Sequence, residues 1–346
     1  MDCPLAAADV LFVARQAVTE NFDRPIAAAR RLSNSRRPLS SLPPELIINI
    51  MHLVIHNQDT PGTSPVGRLH TLAQVSHRWW QLVVSSPSLW CRIDMLEGLH
   101  AVTCSLQKSE LCLLDIYYDG IFADAIEQDQ VLQEVGRCAN RWKSLFIQEA
   151  ISVLAFIPQL GTSTPHLEKI TLKSDRPLHL AREKWPDAPH LRSITLTNIN
   201  IPWTPEILSG LLSLTVTNVS DIPNPLQIVQ VLAACPNIQC FVLEDWLSIE
   251  EEGAGARADV PSTSPRITLL SNLRVLKLLN VPCSMAAFIL PFIDAHSVGH
   301  LEIFCGTLEL TDLLAIWGAL MESSGGLPSL LGNLVDGFSI LIGLMQ

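Results

Sequence analysis

The sequence predicts an α+β chain, in which a small N-terminal module of three helices precedes an irregular array of repeated strand-and-helix units. Three observations predict it. A Leu-Pro-Pro-Glu turn at residues 42–45 opens an amphipathic helical pattern that closes in a tryptophan-rich run ending at Trp90. Beyond Leu111 one short apolar template returns about every 20 to 35 residues, a spacing typical of stacked repeats. The composition, 48% hydrophobic against 16% charged over 346 residues, supplies a sizeable core and leaves little charge for a fully solvated surface. Four segments are expected: a helical linker at 1–39, the helical module at 40–92, the repeat array at 105–322 with an insertion at 248–266, and an apolar tail at 323–346.

The first helix should begin at Pro44 or Glu45. Proline there lacks only an N–H that the first turn leaves unused, and Glu45 faces the positive end of the helix dipole. Leu46, Ile47, Ile50, Leu53 and Val54 recur at helical spacing and predict one broad stripe to be buried. A second amphipathic segment over Leu69–Trp80 and a third over Gln81–Ser85 should supply its partners, with Pro87 ending the run. Residues His56 to Arg68 read as a polar insertion carrying proline and glycine. A core of about fifty residues is marginal alone, so the module is expected to lean on a neighbour.

The turn Leu42-Pro43-Pro44-Glu45 and the closing run Val75-Ser76-His77-Arg78-Trp79-Trp80 through Leu89-Trp90 together resemble an F-box. The family's common Cys-Arg-Arg-Trp-Arg stretch is reduced here to His77-Arg78-Trp79-Trp80. The resemblance implies docking to the Skp-type adaptor of a cullin-RING ubiquitin ligase through Leu42, Pro43, Pro44, Leu46, Ile47 and Ile50. It also implies that Val75, Trp79, Trp80, Leu82, Leu89 and Trp90 form the domain core or its junction with the rest of the chain.

The repeat template is apolar-x-x-apolar-x-apolar. It appears after Pro165-His166, Pro189-His190, Pro236-Asn237 and Ser271-Asn272, and again in Trp142/Leu145/Ile147, Leu211/Leu214/Val216 and Val298/Leu301/Ile303, with Leu111/Leu114/Ile116 as an earlier copy. Alternation sends one set of side chains inward and lets Lys169, Arg192 and Lys277 face solvent. Thr204-Pro205, Asn224-Pro225, Ser284 and Thr311 offer capping side chains for intervening helices. Such units bury their apolar side only by stacking, as in a leucine-rich-repeat solenoid. Asn198, Asn218 and Asn280 follow the last apolar strand residue one position earlier than in that consensus, so the spacing does not predict a continuous asparagine ladder. Taken whole, the pattern resembles a fungal-type F-box protein with a C-terminal leucine-rich-repeat-like region.

The interval from Phe241 to Leu276 is longer than the others and holds a Glu/Gly/Ala run and a Pro/Ser/Thr run, a composition expected to form a mobile insertion. Leu5–Leu32 reads as helical with Pro25 as an interruption, and Arg24, Arg30, Arg31, Arg36 and Arg37 make a local basic cluster in a linker. In the tail, Gly332, Asn333, Asp336 and Gly337 interrupt the apolar residues and argue against a membrane helix.

The formal charge of −11 disfavours general nucleic-acid binding. Nine scattered cysteines without a Cys-x-x-Cys pair read as buried thiols of a reducing compartment, which predicts cytoplasm or nucleus. His52 and His56 stand at chelating spacing but lack an acid between them, Gly253-x-Gly255 lacks the third glycine of a phosphate cradle, and neither a Gly-x-Ser-x-Gly elbow nor a Gly-Lys-Ser/Thr loop is present. Asn218-Val219-Ser220 is formally a glycosylation sequon. No catalytic residue, cofactor site or metal site is predicted. The expected function is that of a non-catalytic substrate receptor, gripping a Skp-type adaptor with the helices and, through it, cullin, and holding an unidentified protein substrate with the repeats. The alternative is a stand-alone repeat scaffold with no ligase.

Overall fold

A computed structural model describes residues 25–34, 38–56, 64–120, 125–148, 163–182, 185, 187–221, 223–246, 270–293, 298, 300–304 and 340–343. The chain divides into two compact units, one of residues 1–93 with 103–112, the other of 94–102 with 113–346. The helical N-terminal region and the parallel sheet with helices beyond it make the chain α+β.

The first unit holds helices α1 (25–34), α2 (Pro44–His56), α3 (Pro65–Ala73) and α4 (His77–Ser85), then a 3₁₀ turn over Pro87–Trp90 and the C-terminal half of α5 (Leu99–Lys108). Helix α2 begins at Pro44 for the reason its prolines give. The second helical segment ends earlier than its periodicity predicts. Ser64 and Ser76 each sit in extended backbone and accept a bond from the N–H three residues on, at 3.0 and 3.3 Å, so each starts its own helix. His77–Trp80 therefore belongs to α4, and Arg68 to α3 rather than to a polar loop. The core gathers Ile47, Met51 and Ile55 from α2, Leu69 and Leu72 from α3, Trp79 and Val83 from α4, and Leu89 and Trp90 from the turn. The Trp90 indole N–H donates to Val83 O at 2.8 Å, which satisfies its one polar atom inside this core.

In the second unit, β2 (Leu114–Asp119), β3 (Trp142–Gln148), β4 (Lys169–His179), β5 (Ser193–Asn200), β6 (Ser213–Thr217), β7 (Cys240–Glu244), β8 (Val275–Leu279), β9 (His300–Phe304) and β10 (Ile340–Gly343) lie side by side in strict chain order; a short β1 (Arg92–Asp94) heads the same order at the division between the units. Each of the pairings from β2/β3 to β9/β10 is parallel. Leu145, Ile170, Ile194, Leu214, Phe241, Leu276 and Leu301 occupy one register row and are buried, so the seven copies from β3 to β9 fill the same place in the stack, whereas in β2 it is Ile116, not Leu114, that stands in this row. Leu111, placed in the earliest copy, lies outside β2 and is 90% exposed.

Between the strands, α6 (Ala125–Gly136), α7 (Pro225–Ala233) and α8 (Cys283–Ile289) add apolar faces. Asn224 caps α7 in a full capping box with Gln227. Thr204-Pro205 opens only turns and no helix, and α8 starts after Pro282, one residue ahead of the expected Ser284 cap. Thr311, the insertion at 248–266, the Gly253/Gly255 pair and, β10 apart, the tail at 323–346 lie outside the described residues.

Strand ends carry a feature that the spacing did not predict. Asn198, Asn218, Asp245 and Asn280 all have left-handed backbone, with φ of 58°, 55°, 55° and 52°. Asn198 Nδ2 donates to Ser174 O at 2.7 Å, the Asn218 amide donates to Asn198 Oδ1, and Asn280 Nδ2 donates to Asp245 Oδ1 at 2.7 Å. Short polar side chains tolerate this backbone region and bond locally, so the ladder forms one position early, interrupted between Asn218 and Asp245.

Candidate functional site

Helix α2 is apolar on two sides. Ile47 and Met51 are 0% exposed and Ile55 1%, which puts one side wholly into the core, while Leu46, Leu53 and Val54 remain 48, 74 and 40% exposed. Ile50 is half-buried between the two sides, Leu42 is half-buried, and Pro43 and Pro44 are exposed. The single stripe predicted from Leu46 to Val54 is thus corrected to two. A helix has room for both because steps of three and four residues keep Ile47/Met51/Ile55 on one side and Leu46/Ile50/Leu53 on another, their centres about 130° apart.

Of the six residues expected to meet an adaptor, Pro43, Pro44 and Leu46 are exposed, while Leu42 and Ile50 are half-buried and pack against the core. Ile47 is fully buried, a core residue of the unit. The second group also divides. Trp79, Leu89 and Trp90 are buried in the core and Leu82 packs against it, but Val75 and Trp80 are 53 and 50% exposed. Trp80 turns outward because Trp79 takes the inward position of α4, and adjacent helical residues cannot share a face.

Both ends of α2 are held by arginines that the sequence pattern does not single out. Arg78 Nη2 donates to Leu42 O at 2.6 Å, fixing the turn that starts the helix, and Arg68 Nη1 donates to Ile55 O at 2.9 Å, satisfying a terminal carbonyl. Their partners lie 36 and 13 residues away in sequence, so local spacing gave no signal for either. The exposed stripe is therefore mounted on a helix whose position is fixed from within and at both ends.

The His52 and His56 rings stand 5.9 Å apart, with His56 Nδ1 donating to His52 O at 2.8 Å and His52 Nε2 3.2 Å from Ser88 Oγ. Burial, and secondarily the nearby His56, holds the His52 pKa below its ordinary value. Among the described residues no group of three or more His, Cys, Asp or Glu is placed to hold a metal ion. Cysteines 91, 104, 112, 138, 235 and 240 are free, but only Cys235 is buried; the rest are half-buried, less deep than the sequence predicts. Burial raises the Cys235 pKa, and its Sγ lies 2.7 Å from Leu208 O, a structural setting for a protonated thiol. The Asn218 amide of the formal sequon is engaged by the strand-end ladder. Among the described residues no helix is long and apolar enough to cross a membrane.

The family model described as F-box-like matches residues 39–96, which span α2, α3, α4 and the Pro87–Trp90 turn. No curated protein and no solved structure matches the chain. The helical segment is thus similar to an F-box-like domain, and that similarity covers the exposed stripe.

Proposed function

We propose that this chain is a non-catalytic substrate-receptor subunit of an SCF-type cullin-RING ubiquitin ligase, working in the cytoplasm or nucleus. Leu42, Pro43, Pro44, Leu46 and Ile50, extended by Leu53 and Val54, form the surface that a Skp-type adaptor covers, and the adaptor links the chain to cullin. The parallel-strand unit, taken as a leucine-rich-repeat-like solenoid, holds the target protein. Its in-register strands and left-handed Asn/Asp positions support that assignment.

The observation that carries the reading is the outer stripe of α2. A helix that has already filled its own core with Ile47, Met51 and Ile55 still presents Leu46, Leu53 and Val54 to solvent. Exposed apolar residues in a row, on a rigid helix, mark an interaction site. The match of residues 39–96 to the F-box-like family supplies the kind of partner.

Capture of purified Skp-type adaptor by the full chain tests the proposal. Leu46→Asp with Leu53→Asp changes exposed residues only, so the protein should keep its melting temperature and lose adaptor capture by at least about tenfold, the factor that about 1.4 kcal/mol makes in affinity. Undiminished capture by a folded double variant refutes the assigned surface. A monodisperse wild-type chain that never captures adaptor would instead favour a stand-alone scaffold.

A further inference from the structure

The outward side of the parallel sheet has an uneven chemistry. On β4, β5 and β6 the inward residues Ile170/Leu172, Ile194/Leu196 and Leu214/Val216 are all fully buried, so the alternate positions share the opposite face. Register places them in three rows across the strands: Lys169, Ser193, Ser213; then Thr171, Thr195, Thr215; then Lys173, Thr197, Thr217. Seven hydroxyls and two ammonium groups thus stand together, bordered by the carboxylates of Asp175, two residues beyond Lys173 on β4 and 3.7 Å from Arg176, and of Glu244, in register with Thr217, in a chain whose net charge is −11. Thr171 is buried; Lys169 is exposed, and Lys173 and the residues of β5 and β6 are half-buried.

The neighbouring strands sharpen the contrast. On β2 and β3, Tyr117 and Phe146 stack at 4.6 Å, and Lys173 Nζ lies 5.6 Å from the Phe146 ring centre, which fixes where that ammonium stands. The nearby acids are engaged: Ser144 Oγ donates to Asp115, and Tyr117 Oη donates to Asp119 at 3.0 Å. Exposed Lys143 and Arg192 add positive charge at the edge row, against the single carboxylate of Glu168. On the far side, Lys277 is paired with Glu302 at 2.8 Å, and β7 contributes Glu244, so the acceptor-seeking patch is confined to β4–β6. Among the described residues neither Lys169 nor Lys173 belongs to an ion pair.

Hydroxyls accept as well as donate, but ammonium groups only donate, so the patch selects oxygen acceptors bearing negative charge. Lys169 and Lys173 stand four residues apart on one strand, about 13 Å at 3.3 Å per residue. A single phosphoryl group cannot span that gap. Two carboxylates four residues apart on an extended chain do match it.

We propose that the open face of β4–β6 docks an extended, carboxylate-rich segment of a partner protein, with its acids at Lys169 and Lys173 and its carbonyls on the hydroxyl rows of β5 and β6. This names the class of target for the proposed receptor and rests on the assignment of the strand unit to target binding.

The test uses the full chain and a labelled Gly/Ser peptide carrying glutamate at every fourth position, followed by fluorescence anisotropy. The glutamate peptide should bind at least about tenfold more tightly than its glutamine counterpart, and the difference should shrink with added salt. Lys169→Glu with Lys173→Glu should abolish that preference, keep the wild-type melting temperature, and gain binding to the lysine counterpart of the peptide. Equal binding of the glutamate and glutamine peptides, an unaffected double variant, or a phosphoserine peptide held more than about tenfold tighter than the glutamate one each overturns the proposal. Adaptor capture, measured on the same samples, separates the two readings. Peptide binding without capture sustains this surface and removes the ligase role; capture without peptide binding does the reverse.

Discussion

The helical unit and the strand unit reach a buried core by opposite routes. In the first, every anchoring contact occurs once: one Trp79, one Trp90, one Arg78 on Leu42 and one Arg68 on Ile55. In the second, the same contact is made again and again, with an apolar residue at one register row of each strand and a left-handed Asn or Asp near four strand ends. The difference teaches how a chain can specialise a surface. Repetition leaves the outward positions of each strand free to vary, whereas the helical unit must expose apolar residues on an element that is also its core.

The strongest test of that contrast compares two residues of α2. Met51→Ala should cost about 2 to 5 kcal/mol in urea unfolding, since it empties a fully buried position. Leu53→Ala, two residues along and 74% exposed, should change stability by no more than about 0.5 kcal/mol. A comparable loss at both positions would mean that α2 has one working face.

An intermediate effect should come from the strand-end ladder. Asn218→Ala removes the amide bond to Asn198 and leaves a Cβ at φ of 55°, so a loss of about 1 to 3 kcal/mol is expected. Asn218→Gly removes the same bond without the backbone penalty and should lose less. If glycine proves no better than alanine, the left-handed backbone is not a source of strain at this position.

The smallest effect concerns pH and the helical unit alone. Burial lowers the folded-state pKa of His52, so the fold prefers its neutral ring. The contribution is complete above the unfolded value of about 6.5 and is lost as pH falls from there through the lowered folded value. Melting temperature should drop slightly across that window, and His52→Gln should flatten the slope; an unchanged slope would remove His52 as its source.

Much of this architecture was legible in the sequence. Two prolines and a glutamate located the start of α2, Asn224-Pro225 located α7, and the repeated apolar template located strands from β3 to β9. The inward face of α2 was not legible, because Leu46/Ile50/Leu53 and Ile47/Met51/Ile55 are equally apolar and periodicity alone cannot rank them. The break before Ser76 was hidden by helical spacing that continues from Leu69 to Trp80. The arginine contacts at both ends of α2 depend on tertiary proximity. The ladder escaped because its asparagines sit one place early, where only the left-handed backbone reveals their equivalence.

Strict chain order in the sheet bears on how the molecule is made. Because each strand from β2 onward pairs with the ones just before and after it, every pairing can close soon after its residues leave the ribosome, without waiting for a distant segment. The strand unit can therefore grow as it is synthesised, each nascent strand finding a finished edge to join.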